Sequence, residues 1–109
     1  MTTNIVAAHT RERLPDRRAT ITFSFEIGRW HYTCSFSRGA DDRVLEIFLS
    51  NHKRSSQSDA NARDSAIACS LALQHGCELD TLRALLRDAR GNASTPLGCA
   101  LDHIAELSA

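Results

Sequence analysis

Little in this 109-residue chain breaks a backbone or carries a net field. Its two prolines, Pro15 and Pro96, lie far apart, so everything between them keeps a full set of backbone donors for helix or sheet. The five glycines are isolated from one another, which excludes a glycine-rich phosphate-binding loop. With 13 Lys+Arg against 13 Asp+Glu the formal net charge is zero, so no overall field draws the chain to nucleic acid. No apolar run approaches the ~20 residues of a membrane-spanning helix, and no membrane partner is expected. Four cysteines (Cys34, Cys69, Cys77 and Cys99) form no C-x-x-C and no zinc-type Cys/His spacing, so no metal site is expected. Without an apolar leader at the N-terminus, the expectation is a cytoplasmic protein with reduced thiols that serve as small buried hydrophobes. No aromatic residue follows Phe48.

What is present fits one domain, and a chain of this length buries roughly 60–70% of its extended surface without staples. Residues 1–10 lack periodicity and read as a flexible arm, with a single domain over 11–109. Charge is uneven along the chain: residues 1–54 hold nine basic and six acidic groups, and residues 55–109 hold four and seven.

Residues 20–27 alternate, with Ile21, Phe23, Phe25 and Ile27 opposed to Thr20, Thr22, Ser24 and Glu26. Residues 30–37 do the same, with Trp30, Tyr32, Cys34 and Phe36 opposed to His31, Thr33, Ser35 and Ser37. A two-residue turn at Gly28-Arg29 then pairs Ile27 with Trp30, Phe25 with Tyr32, Phe23 with Cys34 and Ile21 with Phe36. The other face pairs Glu26 with His31, Ser24 with Thr33 and Thr22 with Ser35. A slip of one residue would break both sets. After a turn over residues 38–43, Val44 to Leu49 reads as a third strand, with Leu45, Ile47 and Leu49 on the apolar face. Val44, Glu46 and Phe48 fall on the other face, where a phenylalanine is a candidate interface residue.

Asn51 to Ser58 reads as a mobile connection or, less plainly, as a phosphate- or partner-facing loop. Residues 59–76 form the central helix, capped by Ser58 or Asp59 and ended by Gly76. Ile67, Cys69, Leu71 and Leu73 supply its apolar positions; Arg63, Asp64, Ser70 and Gln74 take the rest. A second helix capped by Asp80 carries Leu82, Leu85, Leu86 and Ala89 and closes at Gly91. Thr95-Pro96 opens a third, with Leu97, Ala100, Leu101, Ile104 and Leu107 as its stripe. The fold class is α+β: a three-stranded antiparallel meander followed by three helices packed on one face. A sheet this small has two open edges, and pairing across a homodimer would cover one.

No nucleophile and base can be paired from spacing, so no catalytic residue is assigned. Arg11, Arg13, Arg17 and Arg18 crowd the approach to the first strand, while Lys53 and Arg54 stand in the serine-rich loop. Together they could hold phosphates or a partner's carboxylates. The plain alternative is a solvated lead-in and a linker.

Five stretches in order add a resemblance. They are Arg13-Leu-Pro-Asp-Arg-Arg18, Glu46-Ile-Phe-Leu49, the helix start from Asp59 to Ala68, Ser70-Leu-Ala-Leu-Gln-His-Gly76, and Ser94-Thr-Pro-Leu-Gly98 leading into Ala100-Leu-Asp-His-Ile104. Together the chain resembles the TSCPD domain, found at the end of cobalamin-dependent (class II) ribonucleotide reductases and as short stand-alone proteins. The name-giving motif stands here as Ala93-Ser-Thr-Pro-Leu97, with Thr95 in the cysteine position and Leu97 in the aspartate position. The resemblance implies a stand-alone module tied to deoxyribonucleotide synthesis and so to DNA replication. Its expected partner is a large ribonucleotide reductase subunit, with a nucleotide or nucleic acid as the alternative. Thr95 joins the candidate binding residues. Adenosylcobalamin belongs to the full-length enzymes, and no cofactor is expected for this chain. The radical chemistry needs a large barrel, which leaves a catalytic role for this chain alone an open question weighted toward no.

Overall fold

The structure, a computed structural model, describes residues 10–15 and 18–108. Its elements are β1 (Thr20–Ile27), β2 (Trp30–Arg38), β3 (Val44–Asn51), α1 (Gln57–Gln74), α2 (Leu79–Leu85) and α3 (Pro96–Ser108). The sheet is an antiparallel meander in the order β1-β2-β3, and three helices follow it. Except for Thr10, the arm expected over 1–10 lies outside the described residues, as does Arg17.

The β1–β2 register is the one the alternation demands, from Ile27 opposite Trp30 to Ile21 opposite Phe36. Gly28, at φ +57, takes the left-handed backbone that a tight hairpin turn needs. On the core face Phe25 stacks on Tyr32 with ring centres 5.6 Å apart, and Phe23 meets Phe36 edge-on at 6.2 Å. On the outer face three hydroxyl pairs form a ladder: Thr20–Ser37 at 3.0 Å, Thr22–Ser35 at 2.8 Å and Ser24–Thr33 at 3.3 Å. His31 and Glu26 complete that face with a 2.9 Å contact.

β3 runs two residues past its expected end and carries an irregularity absent from the sequence reading. Register shifts between Ser37 and Arg38, so that Ser37 pairs with Glu46 while Arg38 pairs with Val44. Leu45 is the extra residue of this bulge. The kink turns Val44 inward, correcting its expected place on the polar face: both Val44 and Leu45 are buried. Phe48 stays on the outer face as expected, 55% exposed.

α1 corrects the helix expectation more deeply. Ile67 and Leu71, assigned to its apolar face, are 56% and 41% exposed. The buried positions are Asp59, Ala62, Ala66, Cys69, Ser70, Leu73 and Gln74, a stripe displaced around the helix. The reason is the open edge of β3, where backbone groups need partners and apolar side chains offer none. Ser70 Oγ accepts from Ile47 N–H at 2.9 Å and donates to Ile47 C=O at 3.0 Å. Gln74 Nε2 donates to Leu45 C=O, and Asp59 Oδ1 accepts from Asn51 N–H. The polar residues that looked solvent-facing thus seal the sheet, while alanines let the helix sit close to it.

The serine-rich connection also differs from its expectation. Ser56, and neither Ser58 nor Asp59, is the N-cap, accepting from Asp59 N–H. The intervening turn is hydrogen-bonded: Lys53 N–H donates to Asn51 Oδ1 and Ser56 Oγ donates to Lys53 C=O. Gly76, at φ +100, follows the last turn of α1 as its spacing suggests.

α2 is shorter than expected. It ends at Leu85, its N-cap is Glu78, and Asp80 lies in the first turn bonded to Arg83. Gly91 closes a separate turn, donating to Asp88 C=O. α3 begins at Pro96 as expected, with Thr95 Oγ1 accepting from Gly98 N–H. Ala100, Leu101 and Ile104 reach the core, which α1 and α3 share with the aromatic face of the sheet.

Asp59 couples this frame to pH. The Arg63 side chain, 2.9 Å away, holds its carboxyl below the ordinary carboxylate range, helped by Asn51 N–H and opposed by burial. A carboxyl acidified by folding stabilises the fold above its unfolded pKa, and the contribution disappears as pH falls through the folded value. Asp59→Asn is expected to flatten the acid limb of a urea-midpoint-versus-pH curve. An unchanged limb would dissociate Asp59 from acid unfolding.

Candidate functional site

The start of α3 and the first half of α1 face each other across a cleft of about 420 Å³. Tyr32 of β2 and Ala62 of α1 lie in its wall, with Leu86, Pro96 and Leu97 adding apolar surface. Ser58, Asn61, Ser65 and Thr95 contribute hydroxyl and amide groups. The cleft exists because the chain after α2 folds back onto the first turn of α3. Gly98 permits that approach, since a Cβ there would stand 3.0 Å from Leu86 C=O and 3.2 Å from Thr95 Oγ1.

Volume and lining fit the small-ligand range of roughly 300–1,000 Å³, in which apolar walls carry a few polar groups. Among the described residues no charged side chain lines the cleft. Among the described lining residues there is no histidine or carboxylate to activate Ser58, Ser65 or Thr95, and Thr95 Oγ1 already caps α3. The arrangement can hold an uncharged group or a partner's side chain; it contains no acid–base pair. Among the described residues no cluster of His, Cys, Asp or Glu could hold a metal.

Among the described candidate binding residues, only Thr95 lies at this cleft. Arg11 Nε donates to Gln74 Oε1, and Arg18 donates through Nε and Nη2 to Glu46 Oε1 at 3.0 and 2.8 Å. Arg13 is exposed. Lys53 and Arg54 are exposed just ahead of α1, whereas Arg11 sits at its far end. The helix between them spans ~26 Å at 1.5 Å per residue, so these cations do not form one patch. Phe48 lines a second cleft of about 280 Å³ with Ile67 and Arg63.

One cluster was invisible to sequence reasoning. Asp102 of α3 accepts from Arg83 Nε at 3.1 Å and from Arg87 Nη1 at 2.8 Å and Nη2 at 2.5 Å. The Arg87 and Arg83 guanidinium groups hold its carboxyl below the ordinary range against the opposing effect of burial. This network ties α2 and its following segment to α3, and thereby one wall of the cleft. An aspartate facing arginines 19 and 15 positions earlier gives no periodic signal.

Three of the four thiols, Cys34, Cys69 and Cys99, are held in their unreactive protonated form. Burial, with Cys69 nearby, pushes Cys34 up to about 12, and burial, with Cys77 nearby, pushes Cys69 up to about 11. Cys99 is raised by burial and then by Asp102, partly offset by Arg87. All four are free. Since the thiolate is the reactive form, alkylation of the native protein at pH 8 is expected to mark half-exposed Cys77 first and to spare Cys34 and Cys69 until denaturant is added. Rapid native modification of Cys34, read by peptide mass mapping, would contradict this packing.

Comparison with known proteins places the chain beside two large enzymes. It is 34% identical over 76 residues, 70% of its length, to a vitamin B12-dependent ribonucleotide reductase of Bradyrhizobium diazoefficiens. Over 70 residues, 64% of its length, it is 36% identical to the vitamin B12-dependent ribonucleotide reductase of Agrobacterium fabrum. The chain is related to a short region of these reductases. That region is 6% of each relative's length. No family model matches the chain, and no solved structure does. The cleft does not fit the vitamin B12 on which the relatives depend: a corrinoid with its nucleotide tail exceeds this volume, and the described lining offers no cobalt-ligating histidine. No helix of the described residues is long and apolar enough to cross a membrane.

Proposed function

We propose that this chain is a TSCPD-like binding module that acts on a ribonucleotide reductase as an accessory or regulatory domain. The observation that carries the reading is the position of its motif segment. Ala93 to Leu97, the stretch that stands for the Thr-Ser-Cys-Pro-Asp signature, supplies Thr95, Pro96 and Leu97 to the largest of the described clefts. Relation to 6% of a reductase's length supports a role beside the catalytic machinery. Reduction of a ribonucleotide needs a thiyl-radical cysteine and a reducing cysteine pair, whereas Cys34 and Cys69 are buried with raised pKa values. The cleft works by burial and hydrogen bonding: it takes up an apolar element of the partner, and the core that α1 and α3 share transmits its orientation. Deoxyribonucleotide synthesis is where such a module would act.

The test is capture of a large reductase subunit by the immobilised chain, followed by a nucleotide-reduction assay with and without it. Recovery of the subunit, a changed rate, and loss of both on filling the cleft with Asn61→Trp are expected. Turnover by the chain alone would overturn the accessory reading. Capture unaffected by Asn61→Trp would move the contact away from the cleft. A nucleotide- or nucleic-acid-binding role through the arginines and Lys53 predicts affinity that falls steeply with salt. The separation of those residues along α1 makes it the weaker reading.

A further inference from the structure

The two edges of the sheet are treated differently. The outer edge of β3 is occupied: Ser70 takes both backbone groups of Ile47, Gln74 takes Leu45 C=O and Asp59 takes Asn51 N–H. Those bonds also set the phase of every other strand. Ile47 turns its N–H and C=O away from β2, so its partner Phe36 must turn its own toward β1, because the groups alternate along an antiparallel ladder. Phe36 pairs with Ile21, so Ile21, Phe23, Phe25 and Ile27 bond to β2. Thr20, Thr22, Ser24 and Glu26 therefore direct their backbone groups outward. Among the described residues, none hydrogen-bonds to them.

No proline, lysine or bulge interrupts β1, and its one charged side chain, Glu26, is engaged by His31 at 2.9 Å within the sheet. Apolar side chains lie exposed along the same border. Ile21 is 39% exposed, and Leu107 of α3 is 54% exposed. His103 packs on Phe23 and Phe25 with ring centres at 5.5 and 5.3 Å, which places its side of α3 over β1. Leu107 follows one turn later on that side.

We infer that β1 pairs antiparallel with β1 of a second copy about a two-fold axis at Phe23, joining two sheets into one. The sequence of β1 is self-complementary in this register. Phe23 meets its symmetry mate and Ile21 meets Phe25 on the apolar face; Thr22 meets Ser24 and Thr20 meets Glu26 on the other. Every outward-facing residue finds a hydrogen-bonding mate. Glu26, the strand's one charged residue, faces Thr20 and not its own copy, so no like charges oppose. Shifting the centre to Thr22 or Ser24 keeps the faces matched but leaves an outward residue at one end of the strand unpaired. The same axis brings the two α3 helices side by side and covers Ile21 and Leu107. The arrangement is isologous and closes at two copies. It is independent of the reductase reading, since it uses neither the cleft nor the motif segment.

Native mass spectrometry of the full chain at micromolar concentration tests this directly. A species at twice the 12.0 kDa chain mass is expected. Ser24→Pro removes an outward N–H without touching the β2 ladder and should return the monomer with an unchanged circular-dichroism spectrum, while Phe48→Ser should leave the dimer intact. Hydrogen exchange keeps the inference falsifiable if the proline variant misfolds. Thr20, Thr22, Ser24 and Glu26 amides of the wild-type chain should gain protection as concentration rises, with their odd-numbered neighbours protected throughout. A wild-type monomer would overturn the inference and free the edge for a strand of another protein. So would a dimer in which those four amides exchange freely.

Discussion

Phe36→Ala is expected to lower the unfolding free energy by about 3–5 kcal/mol, the range for emptying a buried phenylalanine site. Phe36 is fully buried and meets Phe23 edge-on, with Ile47 opposite on β3 and Leu73 of α1 and Leu101 of α3 in the same buried cluster. Against a typical total of 5–15 kcal/mol, that loss leaves the chain near its unfolding threshold at 25 °C. Phe48→Ala removes the same atoms from the outer face, where the ring is half-exposed, and should move the urea midpoint by no more than about 0.5 kcal/mol equivalent. Measuring both variants in one denaturation series separates position from residue type. Similar losses for both would mean that Phe48 is covered by something in solution, and a small loss at Phe36 would contradict the core assignment.

Ser70→Ala is expected to cost about 1–3 kcal/mol, although it removes a single oxygen. That oxygen accepts from Ile47 N–H, and its single proton is shared between Ile47 C=O and Ala66 C=O, all out of reach of water. Without it the strand's N–H is buried and unpaired, which is what makes the loss large. Ser65→Ala is the control. Its hydroxyl also bonds back to a helix carbonyl, that of Ala62, but touches no strand, so its removal should be close to neutral. Amide exchange gives the local readout: Ile47 should lose protection in Ser70→Ala before its neighbours do. Equal effects of the two serine variants would show that α1 does not depend on sealing β3.

These two residues mark how differently parts of the fold were legible. The place of Phe36 follows from alternation, because a strand has only two faces and eight consecutive residues vote on which is buried. The hairpin register follows by the same count once Gly28-Arg29 makes the turn. Ser70 was misplaced by the same kind of reasoning. Periodicity assigns a helix's buried side to its largest apolar residues, which holds when the helix packs on a face and fails when it packs along an edge. There the neighbour is backbone, so Ser70, Gln74 and Asp59 are drawn in and Ile67 and Leu71 are turned out.

The candidate site divides in the same way. Thr95-Pro96 as a helix start could be read directly, since capping is a contact between near neighbours. That the same residues form a cleft with Tyr32, Asn61 and Ser65 depends on contacts across dozens of positions. The arginine arm and Lys53-Arg54 are two separate stretches in sequence, and tertiary packing sets Arg11 at the far end of α1 from Lys53 and Arg54, with Arg18 on Glu46 of β3.

Local order along the chain sufficed for the α+β class, the register of the first hairpin and the third helix. Those features rest on period, capping and turn chemistry, which act over a few residues. The bulge that buries Val44, the sealing of β3 by α1, the Asp102 network and the cleft were decided only in three dimensions. Each depends on which unpaired backbone or charged group meets which side chain from a distant segment, and no short-range pattern encodes that meeting.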